Sequence, residues 1–154
     1  MSIHTDAQTI IQEALTACLP DQAVRRALEG RTFGAGRVFL VAVGKAAWQM
    51  AHCAARLLGD RLVAGGVVTK HGHSRGEIPR CAVYEGGHPV PDEDSFRGTR
   101  AAMELVENLT AEDTVVFLVS GGGSALFECP LIPAEELSHL TQAMLACGAD
   151  IVEM

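Results

Sequence analysis

Runs of unbroken β-branched and aliphatic residues alternate along this chain with stretches whose apolar residues recur at helical spacing. Residues 37–43 (R-V-F-L-V-A-V) and 114–119 (T-V-V-F-L-V) are continuous runs, the pattern of strands covered on both faces. Residues 63–69 (V-A-G-G-V-V-T) and 80–84 read as two more strands. After Gly44 the pattern changes to Ala47, Met50, Ala51, Ala54, Leu57 and Leu58, the single apolar stripe of a helix closed by Gly59. Strands alternating with helices predict a three-layer α/β/α architecture around a mainly parallel, Rossmann-like sheet, with 114–119 the clearest buried strand.

The remaining helices follow from spacing and caps. Ala7, Ile10, Ile11, Ala14, Leu15 and Cys18 share one helical face, which Pro20 ends. Asp21 is expected to cap a short helix that stops at Gly30. Asp92 caps a helix with Phe96, Met103, Val106 and Leu109 on its apolar face. Pro133 opens a helix at its first position, followed by Glu135 and Glu136, and Gly148 closes it after Cys147. Asp150 and Glu153 have capping-box spacing, so a further helix is expected from Ile151. A chain that stops within that helix's first turn reads as a truncated fragment.

In such a sheet, ligands collect at the carboxyl ends of the strands, and the unusual residues of this sequence lie there. Ser120-Gly121-Gly122-Gly123-Ser124 follows the fourth strand directly. Consecutive glycines leave backbone N–H groups bare, and no Cβ blocks an approaching anion. A flexible turn is the plainer reading of the same residues. Lys45 follows the first strand, where a cation opposes the helix dipole, so contact with phosphate or carboxylate accounts for it better than solvation does. The loop is no Walker A motif, because Ala46 follows the lysine and the glycine spacing differs. Gly34-Ala35-Gly36 precedes its strand, so it is no dinucleotide fingerprint.

Two more loops occupy the same edge. Thr69-Lys70-His71-Gly72-His73 follows the second strand, and residues 85–93 (E-G-G-H-P-V-P-D-E) follow the third. Lys70, His73 and His88 offer charge or proton transfer, although each histidine reads equally well as a structural hydrogen-bonding group.

With 154 residues the chain is long enough for one domain with a real core. Its net charge is −7 and its basic residues form no run, which argues against nucleic acid or a membrane as partner. An anionic small molecule would need a local site instead. No apolar stretch approaches the roughly 20 residues of a membrane span, and no signal peptide is apparent. Five scattered cysteines, Cys18, Cys53, Cys81, Cys129 and Cys147, form no CxxC pair, so neither a metal site nor a redox dithiol is expected and a reducing cytoplasm is the expected setting. Self-association into a homo-oligomer stays open.

Taken in order, V-A-V-G-K-A-A, V-V-T-K-H-G-H, G-G-H-P-V-P-D-E, L-V-S-G-G-G-S-A-L and C-G-A-D-I-V-E-M resemble the N-terminal domain of the glycerate 2-kinases that carry a C-terminal MOFRL domain. The resemblance spans nearly the whole chain. It implies that residues 1–154 form an incomplete N-terminal α/β domain, with the MOFRL domain absent. It also implies transfer of the ATP γ-phosphoryl group to the 2-hydroxyl of D-glycerate with Mg2+ or another divalent metal. Lys45 resembles the family's active-site lysine, and the loop from Ser120 to Ser124 its phosphate or substrate loop. Members of the family continue past the position of Met154 into a second α/β domain that closes the cleft, so this fragment alone is expected to be inactive. Asp92, Glu93 and Glu128 are the candidates for the base that takes the hydroxyl proton.

Two other functions fit the residues. Some members of the family are labelled hydroxypyruvate reductases, a reading that the missing dinucleotide fingerprint weakens. A non-catalytic anion-binding domain is the other.

Overall fold

A computed structural model describes residues 2–150, 152 and 153 of the chain. Four parallel strands form one sheet in the order β3-β2-β1-β4: β1 is Val38–Val43, β2 Leu62–Lys70, β3 Cys81–Gly86 and β4 Thr114–Val119. Helices α3 (Ala47–Leu58) and α4 (Glu93–Val106) cover opposite faces. The three-layer architecture read from the sequence is borne out.

The core follows the strand periodicity. Val38, Leu40 and Ala42 face α3 and pack with Met50, Ala51, Ala54 and Leu58. Val41 and Val43 face the other way and pack with Val68, Ala102 and Leu126. All six residues of β1 are buried, because strands flank it on both sides and apolar side chains cover both faces. An ion pair locks the sheet's amino edge, with Arg37 2.8 Å from Asp113 and the backbone N–H of Arg37 also donating to that carboxylate. Gly36 packs so closely on the backbone of Glu112 that no side chain would fit there.

Strand β4 departs from the expectation of full burial. Val115, Phe117 and Val119 are 37%, 50% and 60% exposed, whereas Val116 between them is buried. The cause is position: β4 is an edge strand, and α4 lies over β2 and β3, leaving that face of β4 bare.

Helices α1 (Ile3–Ala17), α2 (Pro20–Leu28) and α6 (Ala134–Cys147) are where expected, with corrections at their ends and faces. Asp21 does not cap α2. Pro20, with its fixed φ, takes the first helical position and makes Leu19 the cap, while Asp21 accepts a hydrogen bond from Gln49. Pro133 is itself the cap of α6, so the helix starts at Ala134, one residue later than expected. On α4 the packed residues are Phe96, Thr99 and Ala102; Met103 is half exposed and Leu109 lies beyond the helix. Small residues set that face: a Cβ on Gly98 would lie 3.0 Å from Val68, so helix and sheet approach closely there. Among the described residues the apolar side of α1 has nothing to pack against, and Ile10, Ile11 and Leu15 are exposed. The reciprocal bonds of the Asp150–Glu153 capping box are both present, although Ile151, where its helix was expected to start, lies outside the described residues.

Candidate active site

Strand β1 is the switch point of the sheet: the chain leaves it toward β2 on one side and reaches β4 on the other. Crevices form at such points beyond the carboxyl ends of the strands. Val43 and Val119 end their strands in register, so the turns that follow them meet. They interlock through the backbone. Lys45 N–H donates to Gly121 O at 2.9 Å, Ser120 N–H to Val43 O at 2.9 Å, and Ala46 N–H to Ser120 Oγ at 3.0 Å. Gly44 makes this approach possible, since its φ is 109° and a Cβ there would strike Ser120. The Ser120 hydroxyl is thus committed to joining the two turns.

The glycine loop lies over Lys45. Gly122 has φ 83° and caps α5 (Gly123–Leu126), a single turn anchored by buried Leu126. A Cβ on Gly122 would sit 2.6 Å from His88 Nε2 and 3.3 Å from Lys45 Cε; one on Gly121 would sit 4.0 Å from the same Cε. Lysine, imidazole and glycine backbone therefore converge on one small volume. Among the described residues no protein group accepts from the N–H of Gly121 or Gly122. Bare N–H groups beside an exposed ammonium make a cradle for an anion.

The β2 loop buttresses this cradle from below. Buried Thr69 donates its hydroxyl proton to Gly44 O at 3.1 Å. His73 Nδ1 lies 2.9 Å from Lys45 O; a carbonyl only accepts, so Nδ1 is the donor and the imidazole props the lysine's backbone. His88 is half-buried, and its pKa is pushed below the usual imidazole range, first by burial and then by the charges of Lys45 and Lys70. It is therefore neutral near pH 7, able to take up a proton.

Two of the three carboxylates named in the sequence as candidate bases, Asp92 and Glu93, have other engagements. Asp92 caps α4, accepts from Ser95 N–H at 2.9 Å and pairs with His71 at 2.7 Å. Burial tends to raise its pKa, but the hydrogen bonds from His71, Ser95 and Gly87 outweigh burial and hold it down to about 2. Glu93 pairs with Arg100 at 2.7 Å. Glu128 is half-buried, and burial raises its pKa.

Magnesium finds a poor fit in this chain. His71, Asp92 and Asp94 are the group of three closely spaced donors among the described residues. One Asp92 oxygen holds Ser95 and the other His71, while Asp94 pairs with Arg97 at 2.9 Å. A hard cation that demands oxygen ligands would have to break these contacts and tolerate an imidazole.

Sequence reasoning brought Lys45, His88 and the 120–124 loop to one edge, and the structure brings them into contact. Lys70 ends β2, and His73 lies in the turn after it. It missed the locking role of Ser120 and passed over Trp48, Gln49 and Arg75, which line a cavity of about 330 Å³ beside Lys45 and His73. The signal for Trp48 and Gln49 was available, because both lie off the apolar stripe of α3.

Fold and geometry together define a parallel α/β domain in which Lys45, His88 and the glycine loop meet at the switch point of the sheet. Residues 6–154 match the family described as "Domain of unknown function (DUF4147)", and the chain belongs to that family. It is 50% identical over 155 residues to D-glycerate 2-kinase of Thermotoga maritima, an alignment covering 99% of this chain and 37% of that protein. It is 37% identical over 166 residues to glycerate 2-kinase of Pyrococcus horikoshii, covering 100% of this chain and 37% of that one. A crystal structure of glycerate kinase from Thermotoga maritima superimposes with a TM-score of 0.84 at 48% identity, covering 95% of this chain and 35% of the other. The chain thus spans little more than a third of the length of these relatives, and the resemblance to glycerate 2-kinases read from its motifs is borne out.

Proposed function

We propose that this chain supplies one wall of the active-site cleft of a D-glycerate 2-kinase, which transfers the γ-phosphoryl group of MgATP to the 2-hydroxyl of D-glycerate. The observation that supports this reading most is the convergence of Lys45, His88 and the bare N–H groups of Gly121 and Gly122 at the switch point.

In this reading Lys45 and the glycine N–H groups neutralise the oxygens of the transferring phosphoryl group. Charge placed there in advance is the largest single contribution to such a reaction. The substrate hydroxyl oxygen attacks the γ-phosphorus; the new P–O bond forms as the bond to the β-phosphate bridging oxygen breaks, and ADP leaves. Neutral His88 accepts the hydroxyl proton at Nε2, the nitrogen aimed at the loop. Lys70 and His73 line the cleft beside these groups. A second α/β domain of the full-length enzyme closes the cleft, excludes water and aligns the attacking oxygen. The setting is a reducing cytoplasm, which suits five free cysteines.

Two assays test the proposal. With MgATP and D-glycerate the 154-residue chain alone should show no turnover. A chimera in which it replaces the matching segment of the Thermotoga enzyme should make 2-phosphoglycerate. Nicotinamide-dependent reduction of hydroxypyruvate by the chimera, without phosphorylation of glycerate, would overturn the reading.

A further inference from the structure

The outer face of α3 carries a feature that the phosphoryl cradle does not use. Trp48, His52 and Arg56 follow Lys45 at i+3, i+7 and i+11, so they line one side of the helix. Trp48 and His52 are stacked, with ring centroids 5.0 Å apart and planes within 10°. The indole N–H donates to Gly76 O at 2.8 Å, which holds the ring against the turn that carries Arg75.

Two adjoining cavities of about 330 and 460 Å³ share Trp48, Gln49 and Arg75. The first reaches Lys45 and the second reaches His52, Arg25 and Arg56. Among the described residues none of these three arginines pairs with a carboxylate, and Asp21, the acid of the groove, is held by Gln49. Three free guanidiniums around an aromatic stack, in a chain of net charge −7, make a local preference for an anion that also presents a flat ring. Lys45 lies in the turn just before α3 and His52 in its second turn, so the adjoining cavities run from one to the other. That span suits a ligand with phosphate at one end and a heterocycle at the other.

We propose that this groove binds the nucleoside half of the phosphoryl donor. The base lies against the Trp48–His52 stack, Arg25 and Arg56 offer donors to its edge, and Arg75 faces the phosphate chain on its way to Lys45. The identity of the ligand as a nucleoside triphosphate rests on the kinase reading; the affinity of the groove for an aromatic anion does not.

Trp48 is the chain's single tryptophan, so its fluorescence reports the groove directly. ADP and ATP should quench it saturably, whereas inorganic tripolyphosphate, which has no ring, should not. His52→Ala and Arg75→Ala should each weaken ADP about tenfold, a typical loss for one stacking or charged contact. Equal binding of tripolyphosphate and ATP, absence of quenching, or unchanged affinity in both variants would overturn the proposal. Failure of the kinase reading alone would look different: nucleotides would quench Trp48, and the chimera would leave D-glycerate unphosphorylated.

Discussion

The imidazole Nε2 of His88 occupies the space that a side chain on Gly122 would need, since a Cβ built there would lie 2.6 Å from it. Residues 34 positions apart in sequence thus depend on the absence of one methyl group. Gly122 also has φ 83°, a conformation that branched residues avoid. Gly122→Val should therefore push His88 aside, close the cradle and weaken phosphate binding at least about tenfold, as expected when two or more charge-assisted contacts are lost. The four strands lie elsewhere, so the far-ultraviolet circular dichroism should be unchanged. Calorimetry with phosphate checks the first outcome; native affinity in the variant would mean that the loop is only a turn.

His88 supplies a pH prediction with a definite sign. Its folded pKa lies below the free value of about 6.5, so the unfolded chain binds the proton more readily. Its contribution is therefore fully retained above about pH 6.5, and stability falls as pH drops from there toward the folded pKa. Burial is the largest cause and Lys45 the next, so Lys45→Ala should raise the His88 pKa without restoring it fully. Proton NMR of the imidazole follows both. A midpoint that Lys45→Ala leaves unmoved would separate the two residues. Because Lys45 is exposed, the same variant should unfold within about 0.5 kcal/mol of the native chain, while in the chimera it should lose most turnover.

Asp92 predicts a structural effect instead. It caps α4 and accepts from Ser95 and His71, so Asp92→Ala should cost about 1 kcal/mol in urea unfolding at neutral pH. Its carboxyl is held down to about 2, so the native chain should lose this contribution as pH falls from about 4 toward 2. The variant should lack that acid dependence. A native acid limb in the variant would assign it to another carboxylate, such as Asp113, which Arg37 also holds below the usual range.

The fold was legible in the sequence because burial on both faces leaves a local mark. The unbroken apolar run of β1, the stripe of α3 and the Asp92 cap each state their structure within a few residues. The exposure of β4 was not legible, since its apolar run would look the same beneath a helix; what decides it is where α4 lies, a property of distant elements. The same limit applied to the site. Lys45 and the glycine loop could be placed on one edge by topology, but the contact of His88 with Gly122 depends on side-chain direction. Asp92 looked available as a base because its partner, His71, comes from the turn after another strand, whereas Glu93 pairs with Arg100 two turns along its own helix.

The turns after β1 and β4 are joined through their backbones, and the proposed function requires that they act as one anion site. Phosphate titrated into the isotopically labelled chain tests this most directly. The account predicts that the amides of residues 44–46 and 121–123 shift together, with a single saturation curve, and that His88 moves with them. Shifts confined to other surfaces, with the glycine loop silent, would contradict it.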